Sequence, residues 1–330
     1  MKYKYKRYIF QWSSALTLIH WMRKIKFKRW DNVSLYKIMK LLVRNLKQDE
    51  ILNRANAVSF SFILAIFPAI IFLFTLIPYI SQIIPEVNSE SIMLFLAELL
   101  PMSMYEVISS TVQDIISNQR GGLLTFGFIF SLYLATNGMM SLMGAFNACY
   151  KTNDRRGGLK MRLIATGLTL NLAFVLCLAI VLLVVGQLAL NYALTHLSDF
   201  EVLSGIDKFT VYMLFALRFF VIFVVFFLAV STIYYFGPAI HFNWRFFSIG
   251  SFLATLLILG VSYGFSFYIT NFGTYNKVYG SIGVLIALMV WVQLVTVVLL
   301  VGYEINASIH NAAHMQALWH GRRFKNENAL

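Results

Sequence analysis

The chain has 330 residues, 59% of them hydrophobic and only 12% charged, and its mean hydropathy is +0.71. A water-soluble domain carries about 25% charged residues and needs a polar surface that this composition cannot supply, so a soluble enzyme or binding module is excluded. Lys and Arg total 27 against 14 Asp and Glu. The two cysteines, Cys149 and Cys177, have no paired spacing and exclude a disulfide scaffold or a cysteine-built zinc site.

Residues 1–50 read as a basic, aromatic segment on the cytoplasmic side or at its interface. The start has the basic head and apolar middle of a secretory signal. Gln11, Ser13, Ser14 and His20 interrupt the apolar run, however, and no small-residue cleavage site follows, so cleavage is not expected. Trp12, Trp21, Phe27 and Trp30 interleave with Lys and Arg. That pattern suits anionic headgroups or single-stranded nucleic acid, and the neighbouring membrane makes lipid the expected partner and nucleic acid not.

Residues 51–309 hold six stretches that each leave room for the ~20 apolar residues of a crossing: 57–80, 123–149, 163–192, 211–236, 246–269 and 282–302. They are too long and too continuously apolar for barrel strands, so the predicted fold class is all-α, polytopic, with about six transmembrane helices. With both termini cytoplasmic, 23 of the 27 basic residues fall on the inside and three outside, while Arg218 lies within a span. Glu86, Glu90, Glu98, Glu106, Asp114, Asp199, Glu201 and Asp207 all fall outside. A multi-pass protein of the bacterial inner membrane is expected, with 310–330 as a cytoplasmic tail.

The external segment 81–122 carries Ile92, Phe95, Leu96 and Leu99, then Met104, Val107, Ile108, Ile115 and Ile116 at helical spacing, broken by Pro101. Two short amphipathic helices follow, lying at the outer interface or capping the bundle.

An ionisable residue inside the bilayer costs roughly 2.5–3.5 kcal/mol on insertion scales and is a functional candidate by default. Arg218, about two turns into the fourth span, either snorkels outward or binds an anionic group. Glu304 closes the sixth span and either pairs with an inner-loop cation or holds a coupling proton or cation. Asn137, Asn147, Asn171, Gln187 and Gln293 are polar residues within spans that glue helices or line a cavity. Gly250 with Ala254, and Gly260 with Gly264, mark a small-residue face on span five, and Pro68 with Pro78 predicts a kink in span one. His310 and His314 sit one turn apart without a third ligand, so no metal and no cofactor is expected.

Two stretches carry a resemblance. "ANAVSFSFILAIFPAIIFLFTLIPYI" and "FYITNFGTYNKVYGSIGVLIALMVWVQLVTVVLLVGYEINASI" are similar to segments of the YihY/BrkB family, formerly labelled ribonuclease BN. The second resembles its hallmark: Tyr279 and Gly280 opening the last span, Trp291 mid-span, then Gly302 and Glu304. The family implies an inner-membrane protein with cytoplasmic termini, some members labelled tRNA-processing ribonucleases and others proposed as transporters. The expected function is a transporter or flippase-like protein for an amphipathic or anionic envelope component, not an enzyme. Arg218, Glu304, Asn137, Tyr279, Gly280 and Trp291 are its candidate binding or gating residues. The alternatives are a non-transporting scaffold for envelope proteins and a membrane-bound ribonuclease, which lacks visible clustered metal ligands or acid–base groups. Membrane lipids, and a second copy of the chain, are the expected partners.

Overall fold

Lipid leaves a crossing segment only its own backbone to bond with, and each apolar stretch of the chain forms one continuous helix. The computed structural model describes residues 13–27, 33–48, 50–82, 89–99, 102–149, 154–196, 208–239, 246–271 and 274–327. In chain order these form α1 (Ser13–Lys24), β1 (Lys26–Phe27), β2 (Val33–Ser34), α2 (Leu35–Gln48) and α3 (Ile51–Ile80). There follow α4 (Ser89–Leu99), α5 (Met102–Ser117), α6 (Gly121–Cys149), α7 (Gly158–His196), α8 (Lys208–Phe236), α9 (Ile249–Asn271) and α10 (Thr274–Glu327). Six of them, α3 and α6 to α10, are long and apolar enough to cross a membrane. Trp12 and Trp30 lie outside the described residues.

The core gathers around α6. Met139, Leu142, Met143 and Phe146 pack with Val58 of α3, Ala165 of α7, Tyr234 of α8, Ala254 of α9 and Tyr303 of α10. Helix α3 approaches α6 closely because Gly138 has no side chain: a Cβ there would stand 2.8 Å from the Phe62 ring. Phe60, Phe67, Phe126, Phe174, Phe219 and Tyr263 point outward, as expected where the surrounding solvent is hydrocarbon. Pro68 and Pro78 lie inside α3 without ending it, and both are buried.

Two devices orient the ends. The tight break between α2 and α3 is made by Glu50, which takes the left-handed conformation at φ 46°. An L-residue rarely holds that conformation, at a cost of about 1–2 kcal/mol. At the opposite end α4 and α5 fold back on α3, where Val112 and Ile116 bury Ile77 together with Phe74, Ile92 and Tyr105. Helices α4 and α5 therefore form a cap on α3.

The last helix differs from expectation. The reading from sequence ended the sixth span at residue 302, whereas α10 runs unbroken for 54 residues. No proline interrupts it, and past residue 302 Ile309, Ala312 and Ala313 pack against Val33, Ile38 and Leu41 of the β2–α2 segment. Burial of that face holds the helix where water alone would let it fray.

Candidate functional site

One polar assembly lies within the membrane-spanning part. Arg162, in the second turn of α7, donates from Nη1 to Oδ1 of Asn137 at 2.6 Å, and its guanidinium carbon sits 4.5 Å from the centre of the Tyr133 ring. Asn137 and Tyr133 are one turn apart on α6, so a single cation reaches both. Helix α6 has 29 residues, about 43 Å at 1.5 Å per residue, against a hydrocarbon core of about 30 Å. Asn137 is twelve residues, about 18 Å, from the α6 end at Cys149. Placing all of the ~13 Å excess at that end still leaves it about 5 Å inside the hydrocarbon. Among the described residues no carboxylate pairs with Arg162, and Tyr133 is 51% exposed on the outer surface of the bundle. The site is thus a half-buried guanidinium held by an amide and by an aromatic side chain that reaches the outer surface of the bundle, with hydrogen-bonding capacity left for an anion.

A second assembly closes the end of the bundle where α6 stops and α9 starts. Glu304 is completely buried; its Oε1 accepts from Asn45 Nδ2 of α2 at 2.6 Å and from Ser308 Oγ at 3.3 Å. Beside it, Asn306 Oδ1 accepts from the Gly250 amide at 2.8 Å while its Nδ2 donates to Ser248 Oγ at 2.8 Å. Tyr234 donates to the Leu299 carbonyl at 2.6 Å, and its ring meets Phe146 and Tyr303 edge-on. Buried polar groups in this environment need partners, and these hydrogen bonds link α2, α8, α9 and α10.

The same end is tied together by its loops. Asn147 Oδ1 accepts from the Ala239 amide at 2.8 Å, and Asn147 Nδ2 donates to Asp154 at 3.1 Å. Arg156 binds Asp154 through Nε and Nη2 and donates onward to the carbonyl of Gly237 at 2.9 Å. The α6–α7 loop is thereby fastened to the turn after α8. The Arg156 hydrogen bond to Asp154 holds its carboxyl below the ordinary value of 3.8. A lowered native pKa contributes stability that is fully present above 3.8 and is lost as pH falls through the lowered value. Hydrogen exchange at the Arg156 and Ala239 amides should therefore accelerate in an acid step below pH 3.8, a step that Asp154→Asn removes.

The residues singled out from sequence do not form one site. Arg218 lies along Gly186 of α7, with Nε 3.5 Å from a Cβ built there. Gly186 is 24 residues from Arg162 on the same helix, about 36 Å away, so Arg218 and Asn137 occupy opposite halves. Glu304 is level with Phe146, whose ring packs 4.3 Å from that of Tyr303, nine residues or about 13 Å beyond Asn137. Trp291 donates to Ser262 Oγ at 3.1 Å, an interhelical tie between α9 and α10, and Gln293 bonds Asn56. Tyr279 and Gly280 lie in α10, but their side chains, like those of Gln187 and His314, fall outside the described residues, as does Asp207. Among the described residues no group of three His, Cys, Asp or Glu could hold a metal ion.

The two small-residue pairs of α9 differ in their surroundings. Gly260 and Gly264 are exposed, with nothing among the described residues within 4 Å of a built Cβ. Close approach occurs instead at Gly250 and Ala254, against Gly302 of α10. At 100° per residue the two stripes lie about 80° apart around α9, and among the described residues only the first meets α10. Reading by sequence counted Arg156 and Arg162 only among the basic residues of the inside and singled out neither Asp154 nor Asn45. The signal for Asn45 is its place at i+7 in the apolar stripe Ile38, Leu41, Leu42: a lone polar residue on a buried face requires a partner.

The model of the Virulence factor BrkB family matches residues 42–324. The chain belongs to the YihY/BrkB family. Among relatives of this BrkB-family protein, the ribonuclease-like protein YfkH of Bacillus subtilis is 30% identical over 258 residues, 78% of this chain and 90% of YfkH. A UPF0761 membrane protein of Tolumonas auensis is 36% identical over 72 residues, 22% of this chain and 24% of its own length. Another from Vibrio cholerae is 33% identical over 135 residues, 40% and 43% of the two chains. No solved structure matches. With six crossing helices and these relatives, the BrkB-family chain is a multi-pass bacterial membrane protein.

Proposed function

We propose that this protein is a transporter or flippase-like protein that moves an amphipathic, anionic envelope molecule, with membrane lipids as its immediate partners. The observation that carries the reading is the Arg162 guanidinium, held inside the span by Asn137 and Tyr133 without a carboxylate among the described residues. A cation in hydrocarbon is costly unless an anion joins it, and a headgroup entering from the lipid side supplies one. Arg218, about 36 Å along α7, offers a second cation near the other end of the crossing. The buried Glu304 network is the gate at the end we assign to the cytoplasm from the charge distribution.

Reconstitution into vesicles and measurement of fluorescent lipid movement tests this. Anionic lipid should move faster than zwitterionic lipid. Arg162→Gln or Asn137→Leu should slow it about tenfold or more, the loss of one charge-assisted hydrogen bond of about 1.5–3 kcal/mol. No lipid movement with the unaltered protein overturns the proposal. The ribonuclease-like name of YfkH supports a second reading, cleavage of RNA at the membrane. We favour a non-enzymatic role, and RNA cleavage by the purified protein that a variant of a single described residue abolishes would reverse that preference.

A further inference from the structure

Helix α2 sorts its residues onto two faces. Ile38, Leu41 and Leu42 are buried, the first two against the extension of α10, and Asn45 reaches Glu304 from the same side. On the other side Met39, Lys40, Val43, Arg44 and Lys47 are all exposed. At 100° per residue these five fall within about 140° of one another, an apolar pair flanked by three cations. Helix α2 contains no Asp or Glu. Among the described residues none of its three exposed cations has an ion-pair or hydrogen-bond partner.

The position of this stripe says what covers it. Gln48 ends α2 and Ile51 starts the first crossing helix, so the stripe lies within about one turn of the bilayer. Helix α1 adds Trp21, 61% exposed, beside Arg23 and Lys24, and Arg23 stacks on Tyr36 of α2 at 4.9 Å. Apolar side chains that dip below headgroup level, ringed by cations that meet phosphates, are the chemistry of an anionic lipid surface.

We propose that the outward stripe of α2, Met39, Lys40, Val43, Arg44 and Lys47, is a docking surface for the anionic headgroups of the adjoining leaflet. Lipid then holds one face of α2 while Glu304 and α10 hold the other. The proposal is independent of whether the protein transports anything.

The full chain, with Cys149 and Cys177 replaced and an environment-sensitive fluorophore on Val43→Cys, is reconstituted in phosphatidylcholine vesicles with and without phosphatidylglycerol. Anionic lipid should shift the emission to the blue and bring the label within reach of lipid-borne quenchers. Replacing Lys40, Arg44 and Lys47 together by Gln should lower the docked-to-free ratio about 100-fold, at roughly tenfold or less per cation. Lys40→Arg with Lys47→Arg, which keeps the charge, should restore it. Hydrogen exchange across α2 in the unlabelled protein gives the same comparison without substitutions. Identical emission and exchange in the two lipid mixtures overturns the proposal, and so does protection that arises only when RNA or an acidic protein is added.

Discussion

Gly250→Val is expected to unfold the contact between α9 and α10 and leave little folded protein in detergent. A Cβ at Gly250 would overlap the carbonyl oxygen of Gly302 and stand 2.6 Å from the Asn306 amide. Neither obstacle is the free end of a flexible chain. The first is helix backbone, and the second is fixed by its bonds to the Gly250 amide and Ser248. Valine would push the helices apart, break the Asn306 bridge and open the core beneath Tyr234 and Ala254, since a Cβ at Gly302 already meets both at 2.6 Å. Overpacking together with a broken buried hydrogen bond costs about 4 kcal/mol or more, a large share of the stability of most proteins. The measurement is the unfolding free energy in micelles or bicelles. Gly264→Ala is the control: its Cβ has open space, and alanine favours a helix by up to about 1 kcal/mol over glycine. Equal stability of the Gly250 variant and the parent would show that α9 does not pack on α10 as described.

Glu304→Ala is expected to release α2 from the bundle. The carboxylate accepts hydrogen bonds from Asn45 and Ser308 at a fully buried position, and removing it strands both donors and leaves a cavity. The combined cost is about 2–4 kcal/mol. Because Asn45 is the polar link between α2 and this site, the loss should concentrate on α2 rather than spread over the spans. Trypsin cleavage at Lys40 and Lys47, both exposed, should rise about 30-fold or more, as expected when the open form gains about 2 kcal/mol. Glu304→Gln keeps the volume and one acceptor oxygen and should stay near the parent. Unchanged cleavage in Glu304→Ala would mean that the apolar contacts of Ile38 and Leu41 hold α2 unaided.

Hydropathy and the run of charges made the architecture legible because, in lipid, a long apolar segment has one stable conformation. The six crossings and the capping helices around Ile92 and Ile116 follow from periodicity and length. The end of the last helix did not, since it rests on Ala312 meeting Leu41, residues far apart in the chain.

The candidate site was legible only in part. Asn137 and Glu304 drew notice as polar groups in apolar company, but their partners, Arg162 and Asn45, look like ordinary members of a loop and a surface helix. Which glycines permit close approach was equally hidden: Gly250 and Gly264 read alike, and their rotation about α9 relative to α10 separates them. The amino-acid order by itself determined that this chain crosses a membrane as helices, for that depends on each segment's transfer into lipid. Only the tertiary structure decided which polar side chains meet, because a hydrogen bond between Arg162 and Asn137 depends on the relative depth and rotation of two helices, which neither segment encodes alone.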